Sequence, residues 1–145
     1  MGSETHQLLE TDSNASPTDA GAPRATETSL GLHENTAGAA SYALGFVSGL
    51  VVYLLEADNE FVRFHAIQSV LVFGGLFALG IAMSVAGLLL GWLPVVGVVV
   101  GLAVALGSLL LVPVALVCWV VLLYKAYTGE RFHVPVVGPL AERYV

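Results

Sequence analysis

His65, Gln68 and Ser69 stand three and four residues apart, the spacing that puts side chains on one face of a helix. An imidazole, a carboxamide and a hydroxyl on one face can bond across to another helix or hold a lipid headgroup. Glu60 and Arg63 precede them, and Arg63 can extend its charge toward phosphates. These five residues form a candidate interfacial interaction cluster.

Stronger chemistry is not encoded nearby. A metal reading would use His65 and His133 with Glu60 and Glu130, but no pair has ligand spacing such as HExxH. There is no serine nucleophile elbow, phosphate loop or paired-carboxylate motif, and Cys118, the single cysteine, lies in an apolar run. The expectation is a protein with no catalytic residue, no metal and no cofactor. Net acidity also argues against nucleic acid as a partner.

The elements that must position the cluster are apolar to an unusual degree. Of 145 residues, 57% are hydrophobic and 11% charged, and the mean hydropathy is +0.83, whereas soluble domains are roughly 25% charged. From Phe64 to Tyr124 no Asp, Glu, Lys or Arg occurs over 61 residues, and about 20 apolar residues suffice to cross a bilayer. The chain therefore reads as an all-α integral membrane bundle with the lipid bilayer as its first partner. Between Arg63 and Lys125 the intramembrane ionisable groups that ion coupling needs are reduced to His65, close to an interface, which argues against a proton pump, an ion-coupled transporter or a voltage sensor.

The charge lies elsewhere. Residues 1–36 carry Glu4, Glu10, Asp12, Asp19, Glu27 and Glu34 against Arg24, with ten Ser or Thr and no aromatic residue, so they read as a disordered acidic tail. No basic start followed by an apolar run marks a signal peptide. Asn14-Ala15-Ser16 matches a glycosylation sequon.

Three spans are expected, over 37–55, 60–90 and 96–128, followed by an interfacial segment over 129–145. Glu34-Asn35-Thr36 offers N-cap chemistry for the first, and Asp58 or Asn59 for the second. Gly91-Trp92-Leu93-Pro94 separates the second from the third. Pro113 raises a four-span rival, but its neighbours are all apolar, so a kinked third helix is preferred. Gly129 suits the left-handed residue after that helix. Arg63, Lys125, Arg131 and Arg143 then share one side, which gives an N-out, C-in arrangement in the cell membrane.

Each expected span carries small residues four apart: Ala37, Ser41, Gly45 and Gly49; Gly74, Ala78, Ala82 and Ala86; Gly97, Gly101 and Ala105. Such rows let helix backbones approach and are expected packing faces within a bundle or a homo-oligomer.

Ser41-Tyr42, the run Asn59-Glu-Phe-Val-Arg-Phe-His65-Ala-Ile-Gln68-Ser69, Gly91-Trp-Leu-Pro94, Tyr124-Lys-Ala-Tyr127-Thr-Gly129-Glu130-Arg-Phe and Pro135-Val-Val-Gly138 carry a resemblance. Over 37–141 the chain resembles a family of small uncharacterised multi-pass membrane proteins of archaea and bacteria. That family is grouped remotely with the Tic-twenty component of chloroplast protein import. The resemblance implies a three- or four-span protein with no established reaction and, by analogy alone, a role in translocation or assembly. The leading expectation is a non-enzymatic component that packs with itself or other membrane proteins. The alternatives are a pore or transporter subunit and, third, a lipid-modifying enzyme using His65 with Glu60 or Glu130.

Overall fold

A computed structural model describes residues 28–145. The tail over 1–27, including Asn14, lies outside the described residues. Five helices follow in order: α1 (Glu34–Ala40), α2 (Phe46–Leu55), α3 (Glu60–Leu90), α4 (Pro94–Tyr127) and α5 (Val137–Ala141), with a 3-10 turn over Glu142–Tyr144. No strand occurs among the described residues.

Helices α3 and α4 form a long antiparallel hairpin, about 46 and 51 Å from their residue counts. Each is long and apolar enough to cross a membrane, and the apolar window of neither is buried within the protein. Local signals set their ends. The Asn59 side chain accepts the Val62 N–H at 3.0 Å and caps α3. Pro94 opens α4, where a missing N–H costs nothing. Helix α4 continues through Pro113, so the four-span division is not adopted. Gly129 takes φ +78 just beyond it, the left-handed conformation expected there.

The segment expected as the first span is not one helix. Its chain breaks after Ala40, passes through a turn, and resumes at Phe46. Gly45 has φ +62 and ψ −135, a conformation that disfavours any residue with a Cβ. Helix α1 begins at Glu34 with His33 before it and no side-chain cap, so the expected N-cap at 34–36 is not made.

The two halves then run in opposite directions. Along α1, a Cβ at Gly38 would meet Phe61 and His65, and Tyr42 further on packs with Phe73 and Leu122. Along α2 the order reverses: Phe46 stacks on Phe77, Gly49 abuts Ala66 and Ser69, and Val52 packs on Val62 and Ala66. Both ends meet at the same end of the bundle. Asn59 Nδ2 donates to Glu34 Oε2 at 3.2 Å, and Asn35 lies against Gly129. Residues 34–55 are thus a helical hairpin that doubles back, not a helix running the length of α3. At about 15 Å, α2 is too short to cross a hydrocarbon core of about 30 Å.

The tail boundary at residue 36 also moves. Ser29 Oγ donates to Glu56 Oε1 at 2.9 Å, and Leu30 packs against the cluster of Ala37, Val52, Val62 and Ala66. Ordered packing therefore begins by residue 28, nine residues earlier than composition alone implies. The described residues form a head, made of α1, α2, α5 and the adjoining ends of α3 and α4, and a distal hairpin whose two helices have only each other among those residues.

Small residues act unevenly. Gly49 lets α2 lie close on α3, since a Cβ there would lie 2.8 Å from the Ala66 carbonyl oxygen. Gly74 lies against Phe46, and Gly97 against the backbone of Gly91. Ala78, Ala82, Gly101 and Ala105 are exposed, so these members of the expected rows do not join α3 to α4. A close approach between them lies instead at Gly107, where a Cβ would meet the Met83 side chain, beside a cleft of about 260 Å³ bordered by Leu76, Gly80, Met83, Val104, Ser108 and Leu111.

Candidate functional site

A helix broken among apolar elements frees backbone groups that water cannot satisfy, so they need partners from the protein. Ser48, one turn into α2, accepts the Leu44 N–H at 2.9 Å and directs its own proton to the Ser41 and Gly45 carbonyls, each at 3.1 Å. Ser69 of α3 donates to the Gly45 carbonyl at 2.9 Å. Trp119 of α4 donates its indole N–H to the Tyr42 carbonyl at 2.6 Å. The break is held by side chains from three helices.

Beneath it lies a buried polar network. Tyr42, His65, Gln68, Ser41 and Ser69 are all closed to solvent. Gln68 Nε2 donates to the Phe132 carbonyl at 3.0 Å, and Gln68 Oε1 accepts the Val134 N–H at 3.3 Å. This pairing fixes the amide, because a flipped carboxamide would oppose oxygen to oxygen and N–H to N–H. Gln68 Nε2 must then donate to the Tyr42 hydroxyl at 3.1 Å, which leaves the Tyr42 proton for His65 Nδ1, also at 3.1 Å. The network thereby assigns His65 as the Nε2–H tautomer. Its Nε2 is buried with no partner in hydrogen-bond geometry among the described residues. Edge-to-face contacts with Tyr42, Phe61 and Phe64, at centroid distances of 5.7, 4.6 and 5.2 Å, box the imidazole in.

The face predicted for His65, Gln68 and Ser69 exists, and its partners are the helix break and the C-terminal segment. Fully closed His65 and Gln68 do not meet a headgroup. Arg63 departs from the face: Nη1 donates to the Glu56 carbonyl at 3.0 Å, Nη2 to the Tyr53 hydroxyl at 3.2 Å, and the guanidinium carbon lies 4.5 Å from the Tyr53 ring centre. Glu60 is exposed and faces Arg131 at 3.8 Å. The cluster is therefore three groups with separate partners.

Glu56 anchors the turn between α2 and α3. Burial raises its carboxyl, but hydrogen bonds from Ser29 and the Asn59 and Asp58 amides outweigh this and hold it below the usual carboxylate range. It serves as an ionised acceptor under a thin cover.

The other titratable candidates are dispersed. Lys125 pairs with Glu130 at 2.6 Å and His133 with Glu142 at 2.7 Å, both exposed. Among the described residues no group of three or more His, Cys, Asp and Glu is placed to hold a metal ion. Cys118 is half-buried against Tyr42 and its neighbours. Through Tyr42 and Gln68 the network ties residues 132–134 to the turn that precedes the break.

Sequence reasoning missed Tyr42 and Trp119 as members of this site. Their signal was position. A tyrosine and a tryptophan away from the ends of apolar segments are displaced from the aromatic belts, and when buried each needs a hydrogen-bond partner.

Long uncovered apolar helices packed onto a polar-centred head define a small helical membrane protein. The chain belongs to the magnetosome magnetite crystal formation protein family, whose model matches residues 26–141. It is 42% identical over 118 residues to a UPF0132 membrane protein of Methanocaldococcus jannaschii, covering 81% of this chain and 94% of that one. A UPF0132 membrane protein of Archaeoglobus fulgidus is 40% identical over 114 residues, 79% of this chain and 97% of its own. A second M. jannaschii relative with the same family name is 37% identical over 115 residues, 79% of this chain and 72% of its own. No solved structure matches the chain.

Proposed function

We propose that the protein is a non-enzymatic, multi-pass membrane component that acts by packing its distal hairpin against a second copy or a partner membrane protein. The observation that carries this is where α2 stops. It covers one face of α3 up to Gly74 and Phe77; beyond, Ala78 and Ala82 continue that face with nothing on them. In lipid, small uncovered residues of this kind let another helix approach closely.

The same reading gives two crossings, α3 and α4, with residues 34–55 entering and leaving on one side. With exposed Trp92 at one interface, the break, level with Phe73, lies about 27 Å away along α3 in the opposite leaflet, and Arg63 lies about 42 Å away, at the headgroups of that side. Arg63, Lys125, Arg131 and Arg143 all belong to the head end, which makes that side cytoplasmic by the positive-inside rule. Residue 34 then lies inside with the C-terminal segment, in place of the N-out arrangement expected from three spans.

Discontinuous helices line substrate sites in many transporters, but here the freed carbonyls are already taken by Ser48, Ser69 and Trp119. This favours a packing role over transport. By analogy alone, the remote grouping of the resembled family with the Tic-twenty component would make translocation or assembly the process in which such packing acts. The matching family's description supplies another setting, the membrane around a growing magnetite crystal.

In a Cys118→Ala background, oxidation of native membranes should convert an Ala82→Cys variant to a covalent pair. Leu106→Cys, on the far side of α4, should stay single. A strictly monomeric Ala82→Cys protein, with no partner captured, would contradict the proposal.

A further inference from the structure

A second surface of the head has a different character. Between α2 and α3 runs an open groove of about 230 Å³ lined by Leu50, Tyr53, Ile67, Val70, Leu71 and Tyr144. Its walls are almost wholly hydrocarbon, apart from two phenols. The lining has a direction. Because α2 and α3 are antiparallel, Leu50, Val70 and Leu71 form the end nearer the middle of α3, and Tyr53 forms the end nearer the 56–59 turn.

At that second end stands a cation. Arg63 lies against Tyr53, holding its hydroxyl at 3.2 Å and its ring at 4.5 Å. Among the described residues two of the five guanidinium N–H groups are committed, to Tyr53 and to the Glu56 carbonyl. Arg63 is half-buried, so it is fixed in place yet reachable. Arg143 precedes Tyr144 in the 3-10 turn and is exposed. An open apolar slot with a guanidinium held against the tyrosine at its outer end matches one molecule's polarity: a hydrocarbon chain inward, a phosphate outward.

We propose that this groove seats one chain of an anionic phospholipid from the surrounding bilayer, with Arg63 holding its phosphate. Charge complementarity selects this occupant over a neutral or zwitterionic lipid, because among the described residues the Arg63 charge has no carboxylate within ion-pair distance and a net anionic headgroup answers it. The Tyr53 ring orients the guanidinium, and Tyr144 closes the side of the slot. This lipid site lies on the head, apart from the Ala78 and Ala82 face.

The test uses the full chain in mild detergent, titrated separately with phosphatidylglycerol and phosphatidylcholine and read by native mass spectrometry. The expected result is one tightly held phosphatidylglycerol per chain, favoured about tenfold over phosphatidylcholine. Arg63→Gln should reduce that preference to about one. Leu50→Trp, at an exposed position, should fill the slot and reduce retention of both lipids about tenfold while leaving Arg63 in place. It decides the matter if Arg63→Gln fails to fold. Equal retention of the two lipids by the parent, or undiminished retention by Leu50→Trp, would overturn the proposal. So would a Leu50→Trp protein that changes oligomeric state with the lipid ratio fixed at one, which would assign the groove to a second copy.

Discussion

Replacing Gln68 with leucine is expected to destabilise the head by about 2–4 kcal/mol and to release the C-terminal segment from the helix break. Leucine has similar bulk but removes three hydrogen bonds, to the Tyr42 hydroxyl, the Phe132 carbonyl and the Val134 N–H. A hydrogen bond is worth about 1 kcal/mol net, and a buried partner left unsatisfied costs about 1–3 kcal/mol. Tyr42 keeps His65, so the larger part of the loss falls on residues 132 and 134. The check is amide hydrogen exchange at Val134 in micelles, together with denaturant unfolding. Faster exchange at Val134 with helices α3 and α4 still protected is the expected pattern. Unchanged protection there would mean that Gln68 does not hold the segment.

Gly49→Val is expected to be as severe, by a different cause. A Cβ at Gly49 would lie 2.8 Å from the Ala66 carbonyl oxygen and 2.9 Å from Ser69 Cβ. The first neighbour is helix backbone and cannot turn aside, so α2 must move off α3. Overpacking of this kind costs about 1–3 kcal/mol and occasionally more. The movement also draws Gly45 away from Ser69, which removes a bond that holds the break. Gly75→Val is the control, since nothing lies within 4 Å of a Cβ there. Unfolding of the two variants in the same micelles should separate them by about 3 kcal/mol. Equal stabilities would show that the α2–α3 contact is looser than described.

The contrast between these glycines marks what a sequence conveys. Helices α3 and α4 were legible because their boundaries are local: Asn59 caps its own helix, Pro94 opens one, and Gly129 ends one. The face of His65, Gln68 and Ser69 was legible because spacing fixes it. The reversal at 41–45 was not. Ala37 to Leu55 contains no charge and no proline, and hydropathy is blind to chain direction, so two short helices read as one long one. Gly45, with Ser41 and Ser48 beside it, carried the signal but fitted equally well into a row of small residues.

Long-range partners were beyond reach for a related reason. Gln68 meets Phe132 and Val134 across more than sixty residues of chain, and Trp119 meets Tyr42 across 77. Nothing in the local pattern of either end specifies the other. The tail boundary failed similarly, because Ser29 is ordered by Glu56, 27 residues away. Polarity of the 28–36 stretch described its composition correctly and its structure incorrectly.

The doubling-back of residues 34–55 is the feature from which the two-crossing arrangement and the placement of the polar network both follow. Cysteines placed singly at Leu32, Ala57, Trp92 and Val145, in a Cys118→Ala background, test it when a membrane-impermeant maleimide is applied to sealed vesicles of known orientation. Positions 32, 57 and 145 should label from one side and position 92 from the other. Labelling of position 32 together with 92, and opposite 57 and 145, would restore a third crossing and contradict the account.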